Sequence, residues 1–326
     1  MIELEEFDVI IIGAGPAGMT AGIYASRRAL KTVIIGQVIG GQIMSTTWIE
    51  NYPGFKQIKA VELVKKFEDH VRSFGVDIIQ DLVTEIKEVE GGFIVKTSTN
   101  EYKAKAVILA FGKSPRTLNV PGEKEYTGKG VSYCAVCDGP LFRGKPVAVV
   151  GGGNSAFEAA HFLSQIASKV YLIHRSETFR AFETLVEDVK KRGVEFLLNT
   201  EVREIKGDKF VKSIVIENNK TGERRELEVN GVFIEIGSEV KTDLIKDLVK
   251  LDESNHVVIN EKGETFYPNS DKVRPGIFAA GDLTNVPFKQ IVVSAGEGCK
   301  AALQAYNYIH GIQTKGIVAD WSAGKK

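Results

Sequence analysis

Val9-Ile-Ile-Ile-Gly-Ala-Gly-Pro-Ala-Gly18 and Pro146-Val-Ala-Val-Val-Gly-Gly-Gly-Asn-Ser-Ala156 decide the fold of this 326-residue chain. Each is a short, unbroken apolar run that ends in closely spaced glycines. Such a run reads as a strand covered on both faces, as in a parallel sheet. The glycines suit a tight turn into a helix whose first N–H groups meet a pyrophosphate. Helical stretches follow over 17–28 and 155–166, and each leads to a second apolar strand, 32–35 or 170–173.

The likeness continues outward. Amphipathic stretches over 61–74 and 182–192 both end at a glycine, Gly75 or Gly193. Turn signals near 98–100 and 218–222 then mark a hairpin in each half, and apolar strands over 106–112 and 231–237 close the two plans. One βαβ-plus-hairpin plan is written twice, which predicts an α/β protein. It has two Rossmann-like dinucleotide-binding domains with parallel sheets and antiparallel add-ons. No third glycine fingerprint occurs after Gly237, but Ile277-Phe-Ala-Ala-Gly-Asp282 reads as a strand entering a turn, followed by a helix over 291–308. The second domain is therefore expected as an insertion: 1–114 with 243–326 around 115–242. Ser114-Pro115-Arg116 and the segment 237–242 are the crossings and a candidate hinge.

Bulk composition excludes several classes. Lys plus Arg and Asp plus Glu are equal at 42 each, so no global field recruits nucleic acid or a membrane surface. The acidic start (Glu3, Glu5, Glu6) is unlike a secretory signal, and no stretch approaches the roughly 18 apolar residues of a spanning helix. Three cysteines, two of them in Cys134-Ala-Val-Cys137, suit a redox motif in a reducing compartment, and a cytoplasmic location is expected. Zinc would need two further ligands, and neither a second C-x-x-C nor a close histidine pair is present. Cys299 lies in an apolar helical stretch and reads as packing. A dithiol beside a nucleotide turn couples thiol–disulfide exchange to a two-electron carrier. A following helix N-terminus is expected to favour the thiolate.

Taken in order, these segments resemble the low-molecular-weight thioredoxin reductases, FAD-dependent flavoproteins, over essentially the whole chain. The resemblance rests on the first glycine turn, Gly40-Gly41-Gln42, Glu50-Asn-Tyr-Pro-Gly54, Cys134-Ala-Val-Cys-Asp138, Gly151-Gly-Gly-Asn-Ser-Ala156, the basic segment 174–180 and Ala279-Ala-Gly-Asp282. It implies that the first domain binds FAD. Gly13, Gly15, Pro16, Ala17 and Gly18 would lie at the pyrophosphate, and Gly40, Gly41, Gln42 and Asn51 near the flavin ring. Ala110 would add a contact at the end of its strand. Gly281 and Asp282 would meet the ribitol and phosphate, and Gln290 and Ile291 the pyrimidine end.

For the second domain the resemblance implies NADPH, held by Gly151, Gly153, Asn154, Ser155 and Ala156. After the strand 170–173 an NAD site would offer a carboxylate to the ribose, whereas His174, Arg175 and Arg180 suit a 2′-phosphate. The family's second arginine is here Ser176, so NADH is also open. The family pattern further departs at Ile35-Gly36-Gln37, which lacks the ribose acid, and at Lys289, where arginine is usual. Cys137 is expected to face the flavin, Cys134 to attack the partner's disulfide and Asp138 to protonate the leaving thiolate. No metal is expected. The partner would be thioredoxin or a thioredoxin-like protein, and the assembly a homodimer with a rotating second domain. Competing readings are a peroxidase-system reductase, a dithiol oxidase, and a redox sensor with a weakened nicotinamide site. The altered segment Ser238-Glu239-Val240 favours the last.

Overall fold

The computed structural model describes residues 4–45 and 48–313. The chain forms two compact units. One takes the N-terminal segment through Met44, Trp48–Lys113 and the chain from Val240; the other runs over Ser114–Glu239.

The first unit is organised by a sheet ordered Glu264–Phe266, Val273–Ala279, Glu101–Leu109, Glu5–Ile12, Thr32–Ile35, Asp77–Ile79. Its four pairings from Val273–Ala279 to Asp77–Ile79 are parallel. Val9, Ile10, Ile11 and Ile12 alternate between two cores, one on each face. That double burial is why the strand carries no polar residue there. On one face the helix Pro16–Arg27 packs against Ile291–Ile309 through small residues: Ala17, Ala21, Ala25, Ala301, Ala302 and Ala305 are all buried. The approach is close enough that a side chain at Gly298 would overlap the Ala17 carbonyl.

The second unit has a five-stranded parallel sheet ordered Val131–Ser132, Gly231–Ile234, Pro146–Val150, Lys169–Ile173, Glu195–Leu197. The helices Asn154–Leu163 and Glu183–Lys191 cover one face around fully buried Phe157, Leu163, Leu172 and Phe233.

The halves diverge at the hairpins. In the first, Val83–Val89 and Gly92–Thr97 join the main sheet by pairing with Glu101–Leu109. That nine-residue strand is long enough to pair antiparallel at its start and parallel along most of its length. In the second, Arg224–Glu228 ends before the sheet strand Gly231–Ile234 begins, so Thr200–Gly207, Val211–Asn218 and Arg224–Glu228 form a sheet of their own. The two crossing segments pair with each other: Ser238 opposes Pro115 and Glu239 opposes Ser114, with Arg116 Nε 3.4 Å from Glu239.

Candidate active site

The two glycine turns share one geometry. Gly13 has φ +116° and a side chain there would overlap the Ala110 carbonyl; Gly151 has φ +153° and would overlap that of Glu235. Each first glycine is thus pressed against the neighbouring sheet strand. The middle glycines, Gly15 and Gly153, have open space on the side where a side chain would project. Both cap helices, Pro16–Arg27 and Asn154–Leu163, without a capping side chain, which leaves first-turn N–H groups for a ligand. A cradle with free donors at a helix N-terminus fits a pyrophosphate at each turn. Pro16, Ala17 and Gly18 lie in the first helix; Asn154, Ser155 and Ala156 open the second.

Around the first turn the structure gathers residues far apart in sequence. Gly40 donates its N–H to the Ala14 carbonyl (2.7 Å), and Gly41 and Gln42 begin the 3₁₀ turn Gly41–Ser45. Gln42 Nε2 lies 3.5 Å from both the Lys113 carbonyl and Asp282 Oδ2. Asn51 Nδ2 donates to Gln290 Oε1 at 3.0 Å, and Gln290 caps the helix that starts at Ile291. Ala110 follows the strand Glu101–Leu109.

A residue not singled out from the sequence holds the Gly281–Asp282 turn. Glu297 is 4% exposed and accepts from Gly281 N–H (2.7 Å) and Thr284 Oγ1 (3.1 Å). Burial pushes its carboxyl up, against the lowering effect of those two bonds. Ser294 Oγ donates to Asp282 Oδ1 at 3.2 Å. Lys289 reaches back to the Thr284 carbonyl (2.7 Å), and burial and the Lys113 charge push its ammonium down. Glu297 had one readable signal, a carboxylate within Ser294-Ala-Gly-Glu-Gly298, a run of small residues.

In the second unit His174 follows the sheet strand and its ring lies over Gly152, where any side chain would collide with it. Burial lowers His174, and the nearby charges of Arg175 and Arg180 add to that, opposed by the bond at the Thr178 carbonyl. Arg175 and Arg180 are exposed, and Arg180 N–H donates to the Gly152 carbonyl (2.8 Å), tying the basic segment to the glycine turn.

The dithiol segment follows the edge strand Val131–Ser132 of the same sheet. Cys134 is disulfide-bonded, whereas Cys299 is free. The backbone of Cys137 lies in the single helical turn Ala135–Asp138; its side chain is outside the described residues. One turn carries far less dipole than the helix expected to follow the cysteines. Side chains do more here. Ser132 Oγ, buried, donates to Asp138 Oδ2 (2.6 Å) and accepts from Cys134 N–H (3.0 Å). Glu235, at the end of Gly231–Ile234, accepts from the Ala135 backbone; burial raises it to about 7, with the Glu158 charge adding to the rise. Ser132 and Glu235 escaped the sequence reading because neither belongs to a motif.

The profile of the pyridine nucleotide-disulphide oxidoreductases matches residues 7–298. The chain is 42% identical to a thioredoxin reductase of Mycolicibacterium smegmatis over 93% of its length and 96% of that protein. It is also 42% identical to one of Bacillus subtilis, covering 96% of this chain and 98% of the relative. The crystal structure of Lactococcus lactis thioredoxin reductase superposes with a TM-score of 0.80 at 38% identity, covering 94% of this chain and all of that one.

Proposed function

The chain belongs to the pyridine nucleotide-disulphide oxidoreductase family, among its thioredoxin reductases, and from this we propose that it passes reducing equivalents from NADPH to the disulfide of thioredoxin. The family uses a flavin and a pyridine nucleotide. We assign FAD to the glycine turn at Gly13 and NADPH to that at Gly151. Bound FAD supplies a carrier that accepts a hydride equivalent and delivers two electrons to a disulfide.

The chain's own residues supply the rest. Reduction of the Cys134 disulfide yields a thiol pair, with Cys137 the partner sulfur. The Cys134 thiolate then attacks the disulfide of thioredoxin, forming a mixed disulfide and releasing one partner thiolate. Cys137 attacks that mixed disulfide, which restores the internal disulfide and frees reduced thioredoxin. Asp138, which accepts from Ser132 Oγ, is the residue assigned to protonate the departing sulfur. Gln42, Asn51, Asp282 and Gln290 orient the flavin, and Arg175 and Arg180 favour the 2′-phosphate. The proposal includes a cytoplasmic location and a homodimeric assembly. No helix among the described residues is long and apolar enough to cross a membrane.

One observation carries the reading: a disulfide-bonded Cys134, with Asp138 held at its side, lies in the same sheet unit as the second glycine turn. Anaerobic addition of NADPH to purified protein should bleach the flavin, and added thioredoxin should restore its colour as partner thiols appear. A colourless protein that takes up no FAD would refute the proposal, as would thioredoxin left oxidised by a bleached enzyme. Rapid oxygen consumption with a small dithiol and no nicotinamide would favour an oxidase instead.

A further inference from the structure

We propose that Lys220, in the turn between Val211–Asn218 and Arg224–Glu228, is a specificity-determining residue that favours a nucleotide bearing a 2′-phosphate over one with a free 2′-hydroxyl. The proposal rests on the assignment of a nicotinamide nucleotide to the Gly151 turn.

The basic segment 174–180 carries an apparent flaw as an anion site. Between Arg175 and Arg180 stands an acid, Glu177, and the position beside it is an uncharged serine. Neither guanidinium has a side-chain partner among the described residues, and the charges of both act on the His174 ring. Ser176 Oγ is engaged locally, 2.9 Å from His174 Nε2 and 3.1 Å from the Thr178 carbonyl. An unneutralised Glu177 would repel a 2′-phosphate, whose charge is near minus two.

The hairpin corrects this. Lys220 Nζ lies 2.5 Å from Glu177 Oε1, and Asn199 Nδ2 donates to the same oxygen at 3.2 Å. The Lys220 bond, then that of Asn199, holds the Glu177 carboxyl below its ordinary range. The turn is fixed for this task. Asn218 Oδ1 accepts from the N–H groups of Lys220 (2.9 Å) and Thr221 (3.1 Å), setting the direction of the turn. Asn219 stitches it to the basic segment: its Nδ2 donates to the Arg175 carbonyl (2.7 Å) and its N–H to the Asn199 carbonyl (2.7 Å). Lys220 thus raises the net charge of the segment and ties the acid to the hairpin. Asn219 is a positioning residue, holding the Arg175 backbone.

The test is calorimetric titration of the FAD-loaded protein with NADP⁺ and with NAD⁺, alongside kcat/KM for NADPH and NADH. Lys220→Ala should lower the NADP⁺-to-NAD⁺ affinity ratio about three- to tenfold, the scale of one solvent-screened charge acting on a phosphate. Lys220→Glu should lower it further, and Lys220→Arg should restore it. The loss should fall on the KM for NADPH and shrink in high salt. Asn219→Ala, which frees the Arg175 backbone, should also weaken NADP⁺ more than NAD⁺. A wild type that prefers NADP⁺ with a ratio unmoved by Lys220→Ala and Lys220→Glu overturns the proposal alone. Equal losses for both nucleotides in those variants overturn it too, since they mark a merely structural lysine. A wild type that prefers NAD⁺ overturns both this proposal and the NADPH assignment.

Discussion

Replacing Glu235 by glutamine should stabilise the protein above neutral pH and leave it nearly unchanged in mild acid. The Glu235 carboxyl is shifted from the ordinary 4.5 to about 7, chiefly by burial. Between those values the folded protein holds a proton that the unfolded chain has released. Stability therefore falls as pH rises through this window and levels off above about 7. At 1.36 kcal/mol per unit the shift corresponds to roughly 3 kcal/mol, and partial exposure to solvent reduces this to roughly 2. Glutamine removes the charge and keeps an oxygen to accept from the Ala135 N–H. Differential scanning calorimetry of the FAD-loaded wild type and Glu235→Gln should show a gain of roughly 4–8 °C for the variant near pH 8, and little difference near pH 5. An equal shift at both pH values, or none near pH 8, would refute the assignment of a costly buried charge to Glu235.

Three further outcomes test the site. Gly18→Ala sets a side chain against the Gly13 carbonyl, backbone against which nothing yields, so the purified variant should retain far less flavin per chain by absorbance. Glu297→Ala leaves the Gly281 N–H without its acceptor; it should cost about 1–3 kcal/mol in urea unfolding and loosen FAD, measured by fluorescence on release. Ser132→Ala frees Asp138 and should slow thioredoxin reduction on the order of tenfold while nicotinamide-driven flavin bleaching keeps its rate, as stopped-flow absorbance would show.

What the sequence disclosed is what repeats or clusters locally. Val9–Ile12 and Val147–Val150 announce doubly covered strands by composition alone, and the glycines after them announce the turns. Helix ends came within a few residues: 17–28 against Pro16–Arg27, and 155–166 against Asn154–Leu163. The second ends early because Gln165 and Ile166 donate three residues back, to the Phe162 and Leu163 carbonyls, in a tight turn. Long-range pairing was beyond reach. Nothing local tells that Asn51 meets Gln290, or that Gln42 approaches Asp282; only sheet order brings those loops together. Ser132, Glu235 and Glu297 were silent for a related reason. A lone polar residue acquires a task from what folds against it, and its own neighbours in the chain do not name that task. The differing hairpins turned on a two-residue gap, Val229-Asn230, too small to register as a break in an apolar pattern.

The short ribbon formed by Ser114–Pro115 and Ser238–Glu239 makes the inserted stretch a cassette. Its entrance and exit are rungs of the same ladder, so the intervening chain closes on itself before the rest of the molecule is considered. Such a segment asks of its host only two adjacent attachment points. Excised at those rungs, it should fold as an autonomous piece, and a nucleotide-binding cassette of other preference should splice into the same pair of ends.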